Sequence, residues 1–507
     1  MGDMTGNGFS RTTPWLSETA DGLEEWSTPR RAICAHLGTV KAFSSHEHIG
    51  SLTSFGQVPG PWFPSDVAPA LKPGCTTLLE LLFTPYMAPQ LFAAGAAYPP
   101  PEAFREDEAF LRAINAIRPC LSAMAGIGVL TALDRGLAEL YGMGLHEAMG
   151  DPSGAWMLAL NKAVSDRYAG YFVWYADVMK KTDTQGVLKP VHPEYVTSLE
   201  KMGPGAGEEE LSHAVPILRV ESLVGFFDDM LGLDFSGVEQ PAGFPVEDAD
   251  SLDRMIAWFF GLVDRFEIRA IKQLQAYSRT ISTSSVSRTE MAEALGKILA
   301  HRQAVRCAEG VWPVAQCGEA VLSDVRGVEA GSLAAWMPEL RKTAMVVQDY
   351  ILRRILEEAD SRGLPYQIHT GMTTLADSNP ALLEPQIRHY RNVRFVLLHA
   401  YPFLPEAAYL ARNHPNVWVD TSWLALQSPD ILRNALIEYV GMVPAARITA
   451  SIDATSLEEY TGGLSVTRDM LCDVLSEKVE RGCLSVADAM QIGERVLAGN
   501  AKALYRL

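Results

Sequence analysis

The sequence predicts an α/β protein, namely a (β/α)8 TIM barrel with large helical insertions at the barrel mouth. Eight short apolar runs recur along the 507 residues, and several of them end in polar residues. Amphipathic helical patterns lie between the later runs. Strands that alternate with helices form parallel sheets, and eight such units can close into a barrel.

The eight predicted strands are short and unevenly spaced. They comprise residues 40–44, 186–188, 214–220, 267–272, 366–369, 393–399, 417–420 and 447–453. Helical patterns over residues 345–358, 406–412 and 428–443 precede or separate the clearest four strands. The active site of such a barrel lies at the carboxyl ends of its strands, and His369, His399 and Asp453 occur at three of these ends.

The gap between the first two strands predicts an insertion. Roughly 140 residues separate these strands, which is too many for a simple loop. Helical patterns fill most of the gap, at residues 101–123, 131–147 and 156–180. We expect one domain, residues 1–507, in which residues 60–180 form a helical insertion that covers the barrel mouth. The Gly- and Pro-rich stretch at residues 201–210 predicts a mobile loop.

Composition and charge exclude several classes of partner. The chain is 48% hydrophobic and 21% charged, and its net charge of −18 argues against nucleic acid and anionic membranes as partners. Glu80, Pro85 and Pro89 interrupt the most apolar region, so we expect no membrane span. The first nine residues lack the pattern of a secretion signal. The partner we expect is a small-molecule substrate, and a homo-oligomer is the general expectation for a soluble enzyme.

Seven cysteines occur in the chain without a C-x-x-C motif. Such an odd, dispersed set indicates buried, small apolar side chains and no disulfide framework. Disulfides are rare in reducing compartments, so the cysteines favour a cytoplasmic location.

The motif His46-Glu47-His48 directly follows the first predicted strand. On an extended chain, residues two apart point to the same side, so the two imidazoles can reach one point in space. Neutral imidazole is a common ligand of zinc, and a catalytic zinc site typically has three protein ligands and a position for water. His369, His399 and Asp453 extend this candidate set. A carboxylate beside the metal can act as general base, and Asp453 suits that role.

The order of these residues resembles the amidohydrolase superfamily: His-x-His after strand one, His after strands five and six, and Asp after strand eight. The segments at residues 367–371, 398–402 and 416–423 are similar to the branch containing metal-dependent decarboxylases and lactonases. They also resemble the amidohydrolase-like halves fused to glutamine-synthetase-like enzymes. The long insertion and residues 181–184 look more like uronate isomerases, but those enzymes lack the histidine after strand six.

This resemblance implies a ligand set and a catalytic pair. His46, His48 and His369 would bind the metal, and Asp453 would ligate it or serve as base. His399 would ligate a second metal or hold the water and the substrate.

The resemblance also bears on the number and identity of the metals. Members with two metals often bridge them through a carboxylated lysine after strand four, and Lys272 is the positional candidate here. An ordinary strand-end lysine is the alternative for Lys272, and one metal is favoured over two. We expect zinc, with manganese or iron as alternatives, because all three metals accept His and Asp ligands.

Three further residues near predicted strand ends point to an acidic substrate. Arg219 lies near the end of the third predicted strand, and Tyr277 and Arg279 follow the fourth. Arginine binds carboxylates through a bidentate fork, although Arg219 as a structural ion-pair partner is equally consistent with the sequence.

Several polar residues near these strand ends have ordinary structural interpretations. We expect Asp420 to cap the loop after strand seven and Trp423 to pack against the insertion. Glu458 and Glu459 are expected to form a solvated helix start. The remaining histidines, His192 among them, are expected to pack or to face solvent.

The leading functional hypothesis is a metal-dependent hydrolase that cleaves an amide, a related C–N bond or an ester. The first alternative keeps the metal and changes the reaction to decarboxylation or uronate isomerisation. The second alternative is a non-catalytic barrel scaffold, since the fold alone does not determine chemistry.

Overall fold

A computed structural model describes residues 27–49, 76–202, 214–224, 235–309 and 330–507. Two sequence predictions fall partly outside these residues. They are the start of the insertion, residues 60–75, and the greater part of the predicted mobile loop, residues 203–210.

The described residues form one sheet of eight parallel strands in the order β1 to β8, which confirms the predicted barrel class. The strands are β1 (Ala42–Ser44), β2 (Thr184–Val191), β3 (Ala214–Arg219), β4 (Ile271–Gln273), β5 (Pro365–Thr370), β6 (Arg394–His399), β7 (Val417–Asp420) and β8 (Ile448–Thr449).

Two strands differ in extent from the prediction. Strand β4 begins four residues later than expected. Glu267, the first residue of the predicted strand, has a φ of 49°, which is incompatible with extended backbone. Strand β8 ends after Thr449, and the residues that follow pair instead with the chain beyond β1.

Backbone hydrogen bonds between the chain after β8 and the chain after β1 close the barrel. The N–H of Ser45 donates to the carbonyl of Ala450 at 3.4 Å, and that of His48 donates to Ala454 at 3.0 Å. In the opposite direction, the N–H of Asp453 donates to the carbonyl of His46 at 3.3 Å. These bonds bring Asp453 beside the two histidines, although more than 400 residues separate them in sequence.

Helices surround the sheet and fill the segment between β1 and β2. The first helix, α1 (Thr28–Thr39), precedes β1. The segment before β2 contains α2 (Leu78–Leu82), α3 (Ala88–Ala93), α4 (Asp107–Ala123), α5 (Gly128–Tyr141), α6 (Leu145–Met149), α7 (Ala155–Tyr168) and α8 (Tyr171–Lys181).

The later helices include the three that the sequence predicted. They are α9 (Pro193–Met202), α10 (Glu221–Val224), α11 (Ser236–Ala242), α12 (Ala249–Arg265), α13 (Arg288–Glu309), α14 (Ala330–Arg362), α15 (Glu384–His389), α16 (Leu404–Asn413), α17 (Leu424–Gln427), α18 (Pro429–Met442), α19 (Leu457–Glu480), α20 (Val486–Glu494) and α21 (Asn500–Tyr505). None of the described helices is both long and apolar enough to cross a membrane.

The apolar side chains form separate cores inside and outside the barrel. The interior core comprises Phe43, Leu188, Ile217, Ala270, Val396 and Leu398, together with Ala501, Leu504 and Tyr505 of α21. A larger core lies between the strands and the surrounding helices. A third core joins the helices before β2 to Ile452 and Ala454, the two neighbours of Asp453. The helical segment is therefore packed directly against the loop that carries Asp453.

Helix α5 lies backbone to backbone against α19. A Cβ atom at Gly136 would overlap the carbonyl oxygen of Glu458, and one at Gly462 would overlap the carbonyl oxygen of Ala132. Only glycine permits this approach, so these two residues fix how closely the helical segment sits on the barrel.

The prediction that the cysteines form no disulfide is wrong for one pair. Cys34 of α1 and Cys472 of α19 are joined by a disulfide with a Cα–Cα distance of 5.3 Å. Of the other cysteines with described side chains, Cys120 is buried and Cys483 is exposed. The pairing of residues 438 positions apart has no local sequence signal. It does not support the expected reducing compartment.

The prediction of a solvated helix start at Glu458 and Glu459 is also wrong. Both side chains are fully buried. Glu458 accepts hydrogen bonds of 2.7 Å from the hydroxyls of Tyr141 and Tyr168, and Glu459 accepts one of 2.7 Å from Thr84. The helical segment before β2 supplies all three donors, which is why the sequence around α19 did not reveal the burial.

Candidate metal centre

Three of the predicted site residues converge at the carboxyl end of the barrel. His46, His48 and Asp453 each offer a ligand atom, and these atoms lie within 4.8 Å of one another. The Oδ1 atom of Asp453 is 3.2 Å from Nε2 of His46 and 3.3 Å from Nε2 of His48. His46 and Asp453 are nearly inaccessible to solvent, at 1% and 3% exposure.

The protonation of His46 follows from its neighbour Gln367 on β5. The amide nitrogen of Gln367 donates to the carbonyl of Ser45 and to the hydroxyl of Tyr505, both at 2.8 Å. This fixes the amide oxygen toward Nδ1 of His46, at 2.7 Å. Burial lowers the pKa of His46 to about 3, so the ring is neutral and carries its hydrogen on Nδ1. Nε2 is therefore an unprotonated acceptor.

A cation fits the space between these groups. The acceptor Nε2 of His46 faces a carboxylate oxygen and has no hydrogen-bond donor among the described residues. Burial by itself would disfavour ionised Asp453, but the contact with Nε2 of His48 opposes this effect, and the pKa of Asp453 lies well below its usual range. Two acceptors held against each other in a buried site are stabilised by a positive ion between them. The residues present thus fit a divalent metal held by His46, His48 and Asp453.

Glu47 holds the loop that presents Asp453, a role that sequence reasoning missed. Its carboxylate accepts hydrogen bonds of 2.8 Å from the backbone N–H groups of Ile452 and Ala454, on either side of Asp453. Asp453 has a φ of 64°, a strained conformation that persists only where neighbours enforce it. Glu47 lies between the two histidines of the motif, but its partners lie on the distant loop after β8, so no local pattern indicates this role.

His369 and His399 lie next to each other at the mouth. Their ring centroids are 4.2 Å apart, and the ring of Tyr277 is 4.7 Å from His369. Nδ1 of His399 donates to the carbonyl of Ser422 at 3.0 Å, and burial lowers the pKa of His399 to about 4. His369 is buried as well, and burial lowers its pKa well below the usual range. His369 is not one of the three residues whose ligand atoms converge, although the sequence placed it in the ligand set.

Tyr86 is a second residue that the sequence did not reveal. It lies between α2 and α3, and its hydroxyl donates to Oδ2 of Asp453 at 2.9 Å. Its ring is 4.9 Å from that of Trp423, which confirms that Trp423 packs against the helical segment. Burial and the Asp453 charge both raise the pKa of Tyr86, so it remains a hydrogen-bond donor at neutral pH.

The two arginines of the predicted substrate site differ in their surroundings. Arg219 is buried at the end of β3, beside Lys272, the predicted bridge between two metals, at the end of β4. Arg279 is buried as well, but structural contacts occupy it. The guanidinium of Arg279 donates to Asp349 at 2.5 Å and to the carbonyl of Ser282 at 3.1 Å. These contacts fasten the loop after β4 to α14, so the structure gives Arg279 a structural role.

His192 and Asp420 also occupy strand ends. His192 follows β2 directly, is partly buried, and its Nδ1 lies 3.0 Å from the hydroxyl of Ser222. Asp420 is fully buried and accepts hydrogen bonds from Ser45, Thr449 and Ser451 and from the N–H of Ser422. This confirms the expected capping role of Asp420.

Gln367 offers a direct test of the metal centre. Replacing Gln367 with leucine removes the acceptor that fixes the tautomer of His46, and we expect metal affinity to fall by about 10–100-fold. Competition against a chromogenic chelator measures this change. The control is Gln273→Leu, because Gln273 is a buried glutamine of the neighbouring strand whose amide oxygen accepts from Tyr366. Equal metal affinity in the Gln367→Leu protein and the wild type would contradict the assigned tautomer.

Parts of this chain are similar in sequence to known proteins. Residues 318–449 match the family model described as amidohydrolase. A region of 173 residues is 33% identical to protein fluG of Emericella nidulans and covers 32% of this chain. The chain spans only about a fifth of that relative, since the match covers 20% of it.

Solved structures with the same fold cover almost the whole chain. Glucuronate isomerase from Caulobacter crescentus has a TM-score of 0.63 at 13% identity and covers 94% of each chain. Uronate isomerase from Thermotoga maritima has a TM-score of 0.62 at 12% identity, over 94% of this chain and 97% of that one. A protein described as a metal-dependent hydrolase from Lactobacillus casei has a TM-score of 0.56 at 15% identity, with the same coverage. Residues 318–449 are thus similar to the amidohydrolase family, and the fold of the described chain is similar to that of these barrel structures.

Proposed function

We propose that this chain is a metal-dependent hydrolase that cleaves an amide, a related C–N bond or an ester in a small, carboxylate-bearing substrate. The observation that carries the proposal is the convergence of His46, His48 and ionised Asp453 in a buried site, with His399 nearby. His399 matters because it distinguishes the site from that of a plain uronate isomerase, which lacks a histidine after strand six.

The chain's own residues have defined roles in this proposal. His46, His48 and Asp453 would hold the metal, which supplies Lewis acidity and makes water easier to deprotonate. Asp453, kept ionised by its neighbours, accepts a proton from the attacking water and returns it to the leaving group. His399 donates from Nδ1 to Ser422, which leaves Nε2 as an acceptor that can orient water or substrate. Zinc is the proposed metal, with manganese and iron as alternatives.

A second candidate function is the isomerisation of a uronate. The observation that favours it is the hydrogen bond between Tyr86 and Asp453, which pairs a proton donor with a proton acceptor. An aldose–ketose change needs such a pair, because protons move both at carbon and at oxygen. The isomerases among the solved structures also share the fold over most of the chain. Decarboxylation would use the same centre.

Product analysis on metal-loaded protein separates these reactions. N-acyl amino acids and lactones test hydrolysis, D-glucuronate and D-galacturonate test isomerisation, and released CO₂ reports decarboxylation. Turnover of an amide or a lactone that depends on the metal supports the hydrolase. Conversion of a uronate to its keto form without hydrolysis would transfer the proposal to the isomerase. No turnover of any class would favour a non-catalytic scaffold.

Tyr86→Phe tests the contribution of the hydroxyl that contacts Asp453. We expect kcat to fall by about 100-fold if the hydroxyl transfers a proton, and by about tenfold or less if it only positions Asp453. The dependence of kcat on pH distinguishes the two roles, since only proton transfer removes a titrating limb. Tyr98→Phe serves as control, because Tyr98 stacks on Phe104 within the same helical segment. Unchanged kcat in Tyr86→Phe would remove this residue from the mechanism.

A further inference from the structure

Two basic side chains lie side by side at the carboxyl ends of β3 and β4. Arg219 is paired in register with Lys272, and Lys272 with Gln367 of β5. Register partners on parallel strands point to the same face of the sheet. Ile217 and Ala270, two residues before Arg219 and Lys272, belong to the interior core. Both basic side chains therefore point into the barrel, on the same face as the glutamine that holds His46.

Lys272 is an unusual group for this position. Its side chain is 1% exposed, and within the described part of the chain Nζ has no hydrogen-bond partner. A buried ammonium group without a hydrogen-bonded anion is costly, so such a group is retained where it has a ligand to meet.

Lys272 and Arg219 place two basic groups at the ends of β3 and β4. Oε2 of Glu221 accepts a hydrogen bond from Nε of Arg219 at 3.0 Å, whereas Glu221 makes no hydrogen bond to Lys272. Burial lowers the pKa of Lys272 to about 8, while Glu221 and Asp453 favour its charged form, so the ammonium form predominates at neutral pH.

We propose that Lys272, together with Arg219, forms the anion-binding end of the active site and receives the carboxylate of the substrate. This inference rests on the proposed metal-dependent function and locates the residues that bind the carboxylate of its substrate. Lys272 acts as a point charge, while Glu221 fixes the guanidinium of Arg219 in place. The carboxylate is bound at β3 and β4, and the reacting bond lies toward His46, His48 and Asp453.

Binding of matched acids and amides tests this proposal. The probes are D-glucuronate against D-glucuronamide and succinate against succinamide, titrated by calorimetry into the metal-loaded, full-length chain. We expect at least one acid to bind about tenfold or more tightly than its amide. In Lys272→Met, affinity for that acid should fall by about tenfold, and affinity for the amide should not change. Unchanged amide binding also shows that the variant is folded.

Lys272→Arg distinguishes an ammonium ligand from a carboxylated lysine. Arginine keeps the positive charge but is not carboxylated as lysine is, so we expect this variant to retain most of the preference for acid. The proposal is overturned if neither acid is preferred, if Lys272→Met binds both probes like the wild type, or if both variants lose a second metal. Metal content, measured on the same samples, separates the two hypotheses. Wild type without metal would refute the proposed function, whereas retained metal without acid preference refutes only this subsite.

Discussion

Replacing Asp453 with asparagine is expected to remove the metal and abolish activity. The substitution keeps the shape of the side chain but removes the only formal negative charge among the three converging ligands. Two neutral imidazoles hold a divalent ion far less tightly than the complete set. Elemental analysis should show about one metal per chain in the wild type and little in Asp453→Asn. Turnover should fall by about 10³-fold or more, since the general base is lost as well.

Asp349→Asn is the matched control for this experiment. Asp349 is also a buried carboxylate, but it pairs with Arg279 in the loop after β4. We expect this control to keep its metal even if it is less stable. Full metal content in Asp453→Asn would contradict the assigned centre. His369→Ala belongs in the same series, because metal loss there would support the larger ligand set that the sequence predicted.

The second large effect is expected from Gly136→Val, which separates the helical segment from the barrel. A Cβ atom at Gly136 would overlap the backbone of Glu458, and backbone cannot move aside as a flexible side chain can. We expect the free energy of unfolding to fall by about 3 kcal/mol or more, measured by urea denaturation. Gly261→Val is the control, since Gly261 lies within α12 and a Cβ there would meet nothing within 4 Å.

The displacement of α5 in Gly136→Val should also change the position of Tyr86 in the candidate site. Glu458 and Glu459 lie in the first turn of α19. Glu459 accepts a hydrogen bond from the hydroxyl of Thr84, which lies two residues before Tyr86. A shift of α5 against α19 therefore disturbs the segment that places the Tyr86 hydroxyl on Asp453. We expect folded Gly136→Val protein to lose activity at temperatures where Gly261→Val keeps it. Equal stability and equal activity in the two variants would contradict the proposed role of this helix contact.

The barrel and the three converging residues of its candidate centre could be predicted from strand patterns and from the geometry of a barrel. Each strand is a short apolar run, and the alternation of strands with helical patterns determines a parallel sheet. The His46-x-His48 spacing needs only the geometry of one extended segment. Asp453 could be predicted to join these histidines because the carboxyl ends of barrel strands meet at one rim.

Other parts of the site depend on contacts that no local pattern encodes. The roles of Tyr86 and Glu47 follow from how the helical segment and the β8 loop pack around Asp453. Arg279 and Arg219 both lie near the ends of β4 and β3. The guanidinium of Arg279 is bound by Asp349, whereas Arg219 points into the barrel. Cys34 and Cys472 likewise meet only after α1 and α19 pack together.

The sequence by itself thus determined the fold class, the strand order and the residue types delivered to the barrel mouth, because periodicity and strand-end position are properties of short segments. Only the tertiary structure decided which of those residues share a buried space, which tautomer His46 adopts and which charges remain for a substrate. These properties depend on the distances between segments that are far apart in sequence and on the burial that their packing creates. A shifted pKa or a buried, unpaired ammonium group arises only once those segments have packed.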